Sequence, residues 1–113
     1  MWGSGTPLRE FIFSKDVAKL TSWVLDNYSD SEPLILSTSI EVTIKDVVNL
    51  IVKHMNFNGS VVWEDDKPDG QHRKPSDNSK LLSYLPDFKF TPIENGLKET
   101  IEWFNKNYKI IKK

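Results

Sequence analysis

Every strand candidate in this chain is short. Residues 9–13 (Arg9-Glu10-Phe11-Ile12-Phe13) set aromatics around a β-branched residue. Residues 34–37 (Leu34-Ile35-Leu36-Ser37) are a continuous apolar run ending in serine, and residues 61–63 (Val61-Val62-Trp63) make a third candidate. Runs this short build no closed sheet, and their unpaired edges expect a neighbour. Helices must therefore carry the core.

The helical stripes are clear. Val17, Leu20, Val24 and Tyr28 recur at three- and four-residue spacing, which predicts a helix over 15–28 with Ser14 as its N-cap. Thr43 opens a second helix, whose apolar face is Ile44, Val47, Val48, Ile51, Val52 and Met55, and Asp46 supplies a variant of a capping box. Asn58-Gly59 ends that unit with turn chemistry. A short helix is expected over 79–85, packing Leu81, Leu82 and Leu85. The last helix starts at Thr91-Pro92 with Glu94 completing Thr-x-x-Glu. Ile93, Leu97, Ile101, Phe104 and Tyr108 line its apolar face, and Lys106, Lys109, Lys112 and Lys113 suit its C-terminal dipole. The expectation is one α/β domain over 1–113, with about four helices and two or three short strands.

Composition narrows the function. A length of 113 residues suits one domain. A net charge of −1 provides no long-range field for nucleic acid or an anionic membrane, so neither is expected as a partner. With no cysteine, disulfides, thiolate metal sites and cysteine nucleophiles are excluded. No apolar run approaches the ~20 residues of a membrane span. Met1-Trp2-Gly3-Ser4-Gly5 does not read as a secretory leader, and the expected compartment is the cytoplasm.

Few residues offer chemistry. Gly3-Ser4-Gly5-Thr6-Pro7 looks like the start of a phosphate-binding loop, but no strand precedes it and Pro7 removes an amide. Arg9 can grip phosphate bidentately and Trp2 offers an indole face, yet Arg9 can equally pair with Glu10, Asp16 or solvent. The polar stretch 64–80 is long for a compact domain, and such loops are often functional. Within it His72-Arg73-Lys74, with Lys67 and Asp69, suits an anionic sugar phosphate, or else forms a solvated charge run. His54 reads as a half-exposed packing residue, and 18 residues separate it from His72, a poor metal arrangement. Tyr108-x-x-x-Lys112 mimics a dehydrogenase pair, but no glycine-rich nucleotide fold lies upstream of it. No catalytic, cofactor-binding or metal-ligating residue is expected in the chain.

Three ordered blocks together resemble a known family. Trp2-Gly3-Ser4-Gly5-Thr6-Pro7-Leu8-Arg9-Glu10-Phe11-Ile12 followed by Asp16, then Lys67-Pro68-Asp69-Gly70-Gln71-His72-Arg73-Lys74, then Tyr84-Leu85-Pro86-Asp87-Phe88 through Phe90-Thr91-Pro92 to Glu99-Thr100-Ile101-Glu102-Trp103-Phe104, are similar to segments of the GDP-L-fucose synthases. These are extended short-chain dehydrogenases, and the resemblance is to their C-terminal, substrate-binding third. It implies a domain that caps an NADP-binding Rossmann half and closes on a GDP-sugar. Carried over by motif, the substrate-binding residues are Trp2, Arg9, Asp69 and Lys74. This chain departs from the family pattern at His72, where proline is common, at Pro75, where leucine follows the lysine, and at Met1, usually a small apolar residue.

The resemblance also implies a mechanism for a full-length parent. That enzyme converts GDP-4-keto-6-deoxy-D-mannose to GDP-L-fucose by epimerisation at C3 and C5 and NADPH-dependent reduction at C4. The family's reducing triad, epimerising pair and NADP glycine loop lie upstream of the matched region. The chain alone is therefore expected to be inactive and to bind no cofactor, its partner being the missing N-terminal Rossmann domain. The surface facing that domain would favour self-association. Two other readings stay open: a stand-alone nucleotide-sugar-binding or protein-interaction domain, and the cap of a sister epimerase using another nucleotide.

Overall fold

The structure is a computed structural model that describes residues 1–111. Lys112 and Lys113 lie outside the described residues, and with them the Tyr108-x-x-x-Lys112 pattern and part of the last-turn lysine cluster. Strand β1 is Leu8–Glu10, helix α1 Ser14–Asn27, strand β2 Glu41–Thr43, helix α2 Ile44–His54, helix α3 Ser79–Tyr84 and helix α4 Ile93–Ile111. The strands pair antiparallel in the register Leu8↔Thr43, Arg9↔Val42 and Glu10↔Glu41. Four helices and a two-stranded sheet match the expected α/β class.

The helices form where their stripes predict. Thr43 caps α2: its hydroxyl oxygen accepts the Asp46 amide at 3.0 Å and its hydroxyl donates to the Asp46 carboxylate at 2.7 Å. Ser14 is instead the first helical residue of α1, and Phe13 holds the cap position without a side-chain bond. The Thr-x-x-Glu start of α4 is diverted. The Thr91 hydroxyl donates to Asp16 at 2.9 Å, and Glu94 reaches α2, bonding Lys53 at 2.7 Å and His54 at 3.0 Å. His54 is thus a mostly buried link between α2 and α4, close to its expected packing role.

The strands depart from expectation. Only Arg9 and Glu10 of the first candidate join the sheet, in a strand that begins at Leu8, and its partner is 41–43, of which the sequence reading marked only Thr43, as a helix start. Residues 34–37 form no ladder, and 61–63 form none either: Val62 C=O accepts the Met1 amino group at 2.8 Å and the next residue after the run, Glu64, makes the isolated bridge to Trp2. Apolar content makes a segment compatible with a strand, but a ladder needs a partner backbone. Only tertiary placement supplies one.

The core is small. Among the described residues Leu20, Val47, Leu81 and Ile101 are its buried hydrophobic members. Tyr84 of α3 meets Trp23 and Tyr28 edge-on at 5.7 and 5.5 Å. Gly96 lets α4 approach Phe13, because an added Cβ there would stand 3.3 Å from the Phe13 side chain. Beyond Ile101 the stripe on α4 runs into solvent: Phe104 is 37% exposed and Tyr108 44%, and the flanking Trp103 and Ile110 are more exposed still. The accessible surface is 8358 Å², against about 6400 Å² for a folded monomer of this mass. The radius of gyration, 16.9 Å, exceeds the roughly 13 Å of a compact domain of this length. Among the described residues no helix is long and apolar enough to cross a membrane.

Candidate functional site

The N-terminal turn and the polar stretch after residue 63 fold onto each other. Backbone bonds join Glu64 N–H to Met1 C=O at 2.8 Å, Gly3 N–H to Glu64 C=O at 3.0 Å and Leu8 N–H to His72 C=O at 2.9 Å. Two candidate stretches more than fifty residues apart in the sequence thereby become one unit. The same turn receives α2, whose Ile44 and Lys45 amides donate to Pro7 C=O at 3.1 Å and Gly5 C=O at 2.9 Å.

Asp69 is the keystone of this contact. Its carboxylate accepts the Ser4 amide at 2.6 Å and the Ser4 hydroxyl at 2.7 Å. Gly3 has φ +80°, and a Cβ there would lie 2.3 Å from an Asp69 oxygen, so the carboxylate occupies the space glycine leaves. The hydroxyl and amide of Ser4 hold the Asp69 carboxyl below its ordinary value. Folding thus favours the charged form. This contribution is complete above the unfolded value of 3.8 and is lost as pH falls below it through the lower folded value. In an NMR titration the Ser4 amide resonance is expected to move only below pH 3.8, tracking Asp69. A midpoint at or above 3.8 would mean the contact is absent.

The geometry also decides the glycine turn. A dinucleotide cofactor needs free amides and an open approach for its pyrophosphate. Here the Ser4 amide is taken and a carboxylate stands against Gly3. The turn does not fit NADP.

Arg9 spends its guanidinium on the loop. Nη2 donates to Gln71 C=O at 2.7 Å and Nη1 to Leu8 C=O at 2.6 Å, with a longer contact of 3.5 Å to His72 C=O. It does not pair with Asp16, which is buried at 2% exposure and bonds Thr91 instead. Arg73, counted with its neighbours as a candidate anion ligand, is paired bidentately with Glu41 at 2.8, 2.8 and 2.5 Å. That pairing lowers the Glu41 carboxyl and raises the Arg73 guanidinium. Lys74 is exposed and makes no hydrogen bond or ion pair among the described residues. Trp2 is 74% exposed, its backbone bridged to Glu64.

Sequence reasoning missed the partners. Ser4 was visible only as a loop serine, and Glu41 and Glu10 as ordinary charges. Nothing local in a carboxylate announces a partner more than thirty residues away.

Comparison with known proteins follows the same lines. The NAD dependent epimerase/dehydratase family profile matches residues 1–37. The fold is that of the C-terminal portion of extended short-chain dehydrogenases. Within that class the chain is homologous to the C-terminal third of GDP-L-fucose synthases. It is 46% identical over 110 residues to a probable GDP-L-fucose synthase from Drosophila melanogaster, covering 96% of this chain and 34% of the relative. The GDP-L-fucose synthase of Dictyostelium discoideum is 45% identical over 113 residues, covering 98% and 35%. A crystal structure of a GDP-L-fucose synthetase from Naegleria fowleri bound to NADP superposes with TM-score 0.92 at 40% identity, over 96% of this chain and 35% of that one. The chain spans about a third of the length of the curated relatives it matches.

Proposed function

We propose that the chain is the substrate-binding domain of a GDP-L-fucose synthase and holds the nucleotide end of a GDP-sugar. Trp2, Arg9, Asp69 and Lys74 form the site. The observation that carries this is the docking of loop 67–74 onto the N-terminal turn through Asp69–Ser4 and Arg9–Gln71. It assembles the first two of the three blocks that carry the resemblance into one unit.

The residues divide the work. Arg9 gives Nη1 and Nη2 donors to backbone carbonyls and Asp69 accepts from Ser4, so both shape the site, while the Nε edge of Arg9 keeps donors for a ligand. The Lys74 ammonium is a compact charge suited to a diphosphate. The exposed Trp2 indole offers a flat apolar face and one N–H donor. A full-length parent would carry out the epimerisation at C3 and C5 and the NADPH-dependent reduction at C4, and this chain's residues would hold the nucleotide end of the substrate for it. In this chain the turn that most resembles a cofactor loop is closed by Asp69, so the reacting groups and the NADP site belong to an N-terminal Rossmann domain. The excess apolar surface around α4 supports such a neighbour. We expect the protein to work in the cytoplasm, where nucleotide-sugars are made, and the chain alone to oxidise no NADPH.

Titration of the chain with GDP, followed by amide and indole NMR shifts, tests the site. Lys74→Gln is expected to weaken binding about tenfold, the scale of one hydrogen bond to a charged group. Unchanged affinity would remove Lys74 from the site, and a preference for UDP over GDP would favour a sister epimerase.

A further inference from the structure

The two-stranded sheet places like charges directly opposite each other, with Glu10 on β1 facing Glu41 on β2. Such a cross-strand pair is destabilising by itself. Here each carboxylate is committed to a different point on the loop. Glu41 takes the Arg73 guanidinium in the bidentate contact. Glu10 accepts the Ser76 amide at 2.8 Å and also the Ser76 hydroxyl. Residues 73 and 76 are thus gripped side by side at one rung of the sheet. Between them lie only Lys74 and Pro75.

The grip is reinforced from behind. The Ser76 hydroxyl oxygen is 2.7 Å from that of Ser37, and Ser76 C=O accepts the Ser39 hydroxyl at 3.0 Å. Ser39 sits at φ +54°, an uncommon backbone state for a residue other than glycine. The Ser39 hydroxyl oxygen in turn accepts the Asn78 amide at 3.1 Å, and the buried Asn78 side chain donates to Ser37 C=O at 2.8 Å. Pro75 fixes its own φ and restricts Lys74 to extended backbone. The short span carrying Lys74 is therefore fixed at both ends and stiffened within, while its ammonium remains unpaired among the described residues.

We propose that Glu10 and Glu41 are a carboxylate clamp whose role is to position Lys74 for the diphosphate, acting through Arg73 and Ser76. The clamp rests on the reading of Lys74 as a diphosphate ligand given above. It accounts for the like-charge rung: each glutamate's repulsion is offset by a loop partner, and together they remove freedom that the lysine would otherwise lose on binding. It also recasts Arg73, which becomes a positioning residue rather than a ligand.

A double-mutant cycle on GDP affinity of the chain tests this. Glu41→Gln breaks the clamp without touching Lys74, and is expected to weaken GDP binding roughly fivefold, within the range of coupled neighbours. Arg73→Lys retains charge without the fork and should lose less. The decisive comparison is Glu41→Gln combined with Lys74→Gln. If the clamp acts through Lys74, the double variant binds no more weakly than Lys74→Gln alone. Losses that multiply would overturn the clamp while leaving Lys74 as a ligand. No loss from Lys74→Gln by itself would overturn the site reading, and the clamp with it. Circular dichroism of each variant, expected to match the parent chain, shows that folding is not the variable.

Discussion

Asp16→Ala is expected to destabilise the chain by about 2–4 kcal/mol, lowering the melting temperature by roughly 10 °C. Asp16 is 2% exposed in the first turn of α1, and its carboxylate accepts the Thr91 amide at 2.7 Å and the Thr91 hydroxyl at 2.9 Å. Alanine would leave both donors facing a void, and stranding buried donors costs more than the net worth of the bonds. The contact also ties the start of α1 to the lead-in of α4. Asp16→Asn keeps one acceptor oxygen but turns an amino group toward the other donor, so it should lose about half as much. Thermal melts followed by circular dichroism decide the matter: an Asp16→Ala melt equal to that of the parent would mean the bonds are not made in solution.

Gly5→Ala carries the second large effect. Gly5 has φ +77°, and a Cβ there would meet the Trp63 ring at 2.7 and 2.8 Å and the Lys45 side chain at 3.1 Å. The left-handed backbone alone costs about 1–2 kcal/mol for a residue with a side chain. Displacing the indole and straining the Gly5–Lys45 contact brings the expected total to about 2–4 kcal/mol. Gly70 supplies the control, because its φ is +74° but nothing lies within 4 Å of an added Cβ. Gly70→Ala should therefore cost only the conformational part, about 1–2 kcal/mol. Equal losses at the two positions would show that the Trp63 packing contributes nothing. The Trp63 indole resonance should shift in Gly5→Ala and stay in place in Gly70→Ala.

The helices and the site differ in how far they were legible. Leu20, Val47, Leu81 and Ile101 sit on the stripes their spacing predicts and are the buried hydrophobic members of the core. The Thr43 cap was readable because donor and acceptor lie three residues apart. Leu82, Phe104 and Tyr108 were expected inside and are exposed, because periodicity marks a face without saying how much of it is covered. Residues 41–43 pair with 8–10 although no pattern marks them as a strand, and 34–37 are apolar without a ladder.

The site followed the same division. Trp2, Arg9, Asp69 and Lys74 were identifiable from their blocks, since residue type and order are properties of the chain. Their state was not identifiable. Arg9 gives its donors to Gln71 and Leu8, Asp69 is held by Ser4, and Arg73 is bound by Glu41, whereas Lys74 is unpaired among the described residues. By itself the sequence determined the helices, one helix cap and the residue types of the proposed site, because those signals span a few residues. Only the tertiary structure decided which charges are spent on the fold and which stay free for a ligand. A side chain bonds whichever partner folding brings within about 3 Å, and apart from Leu8 beside Arg9 those partners lie 32 to 66 residues away.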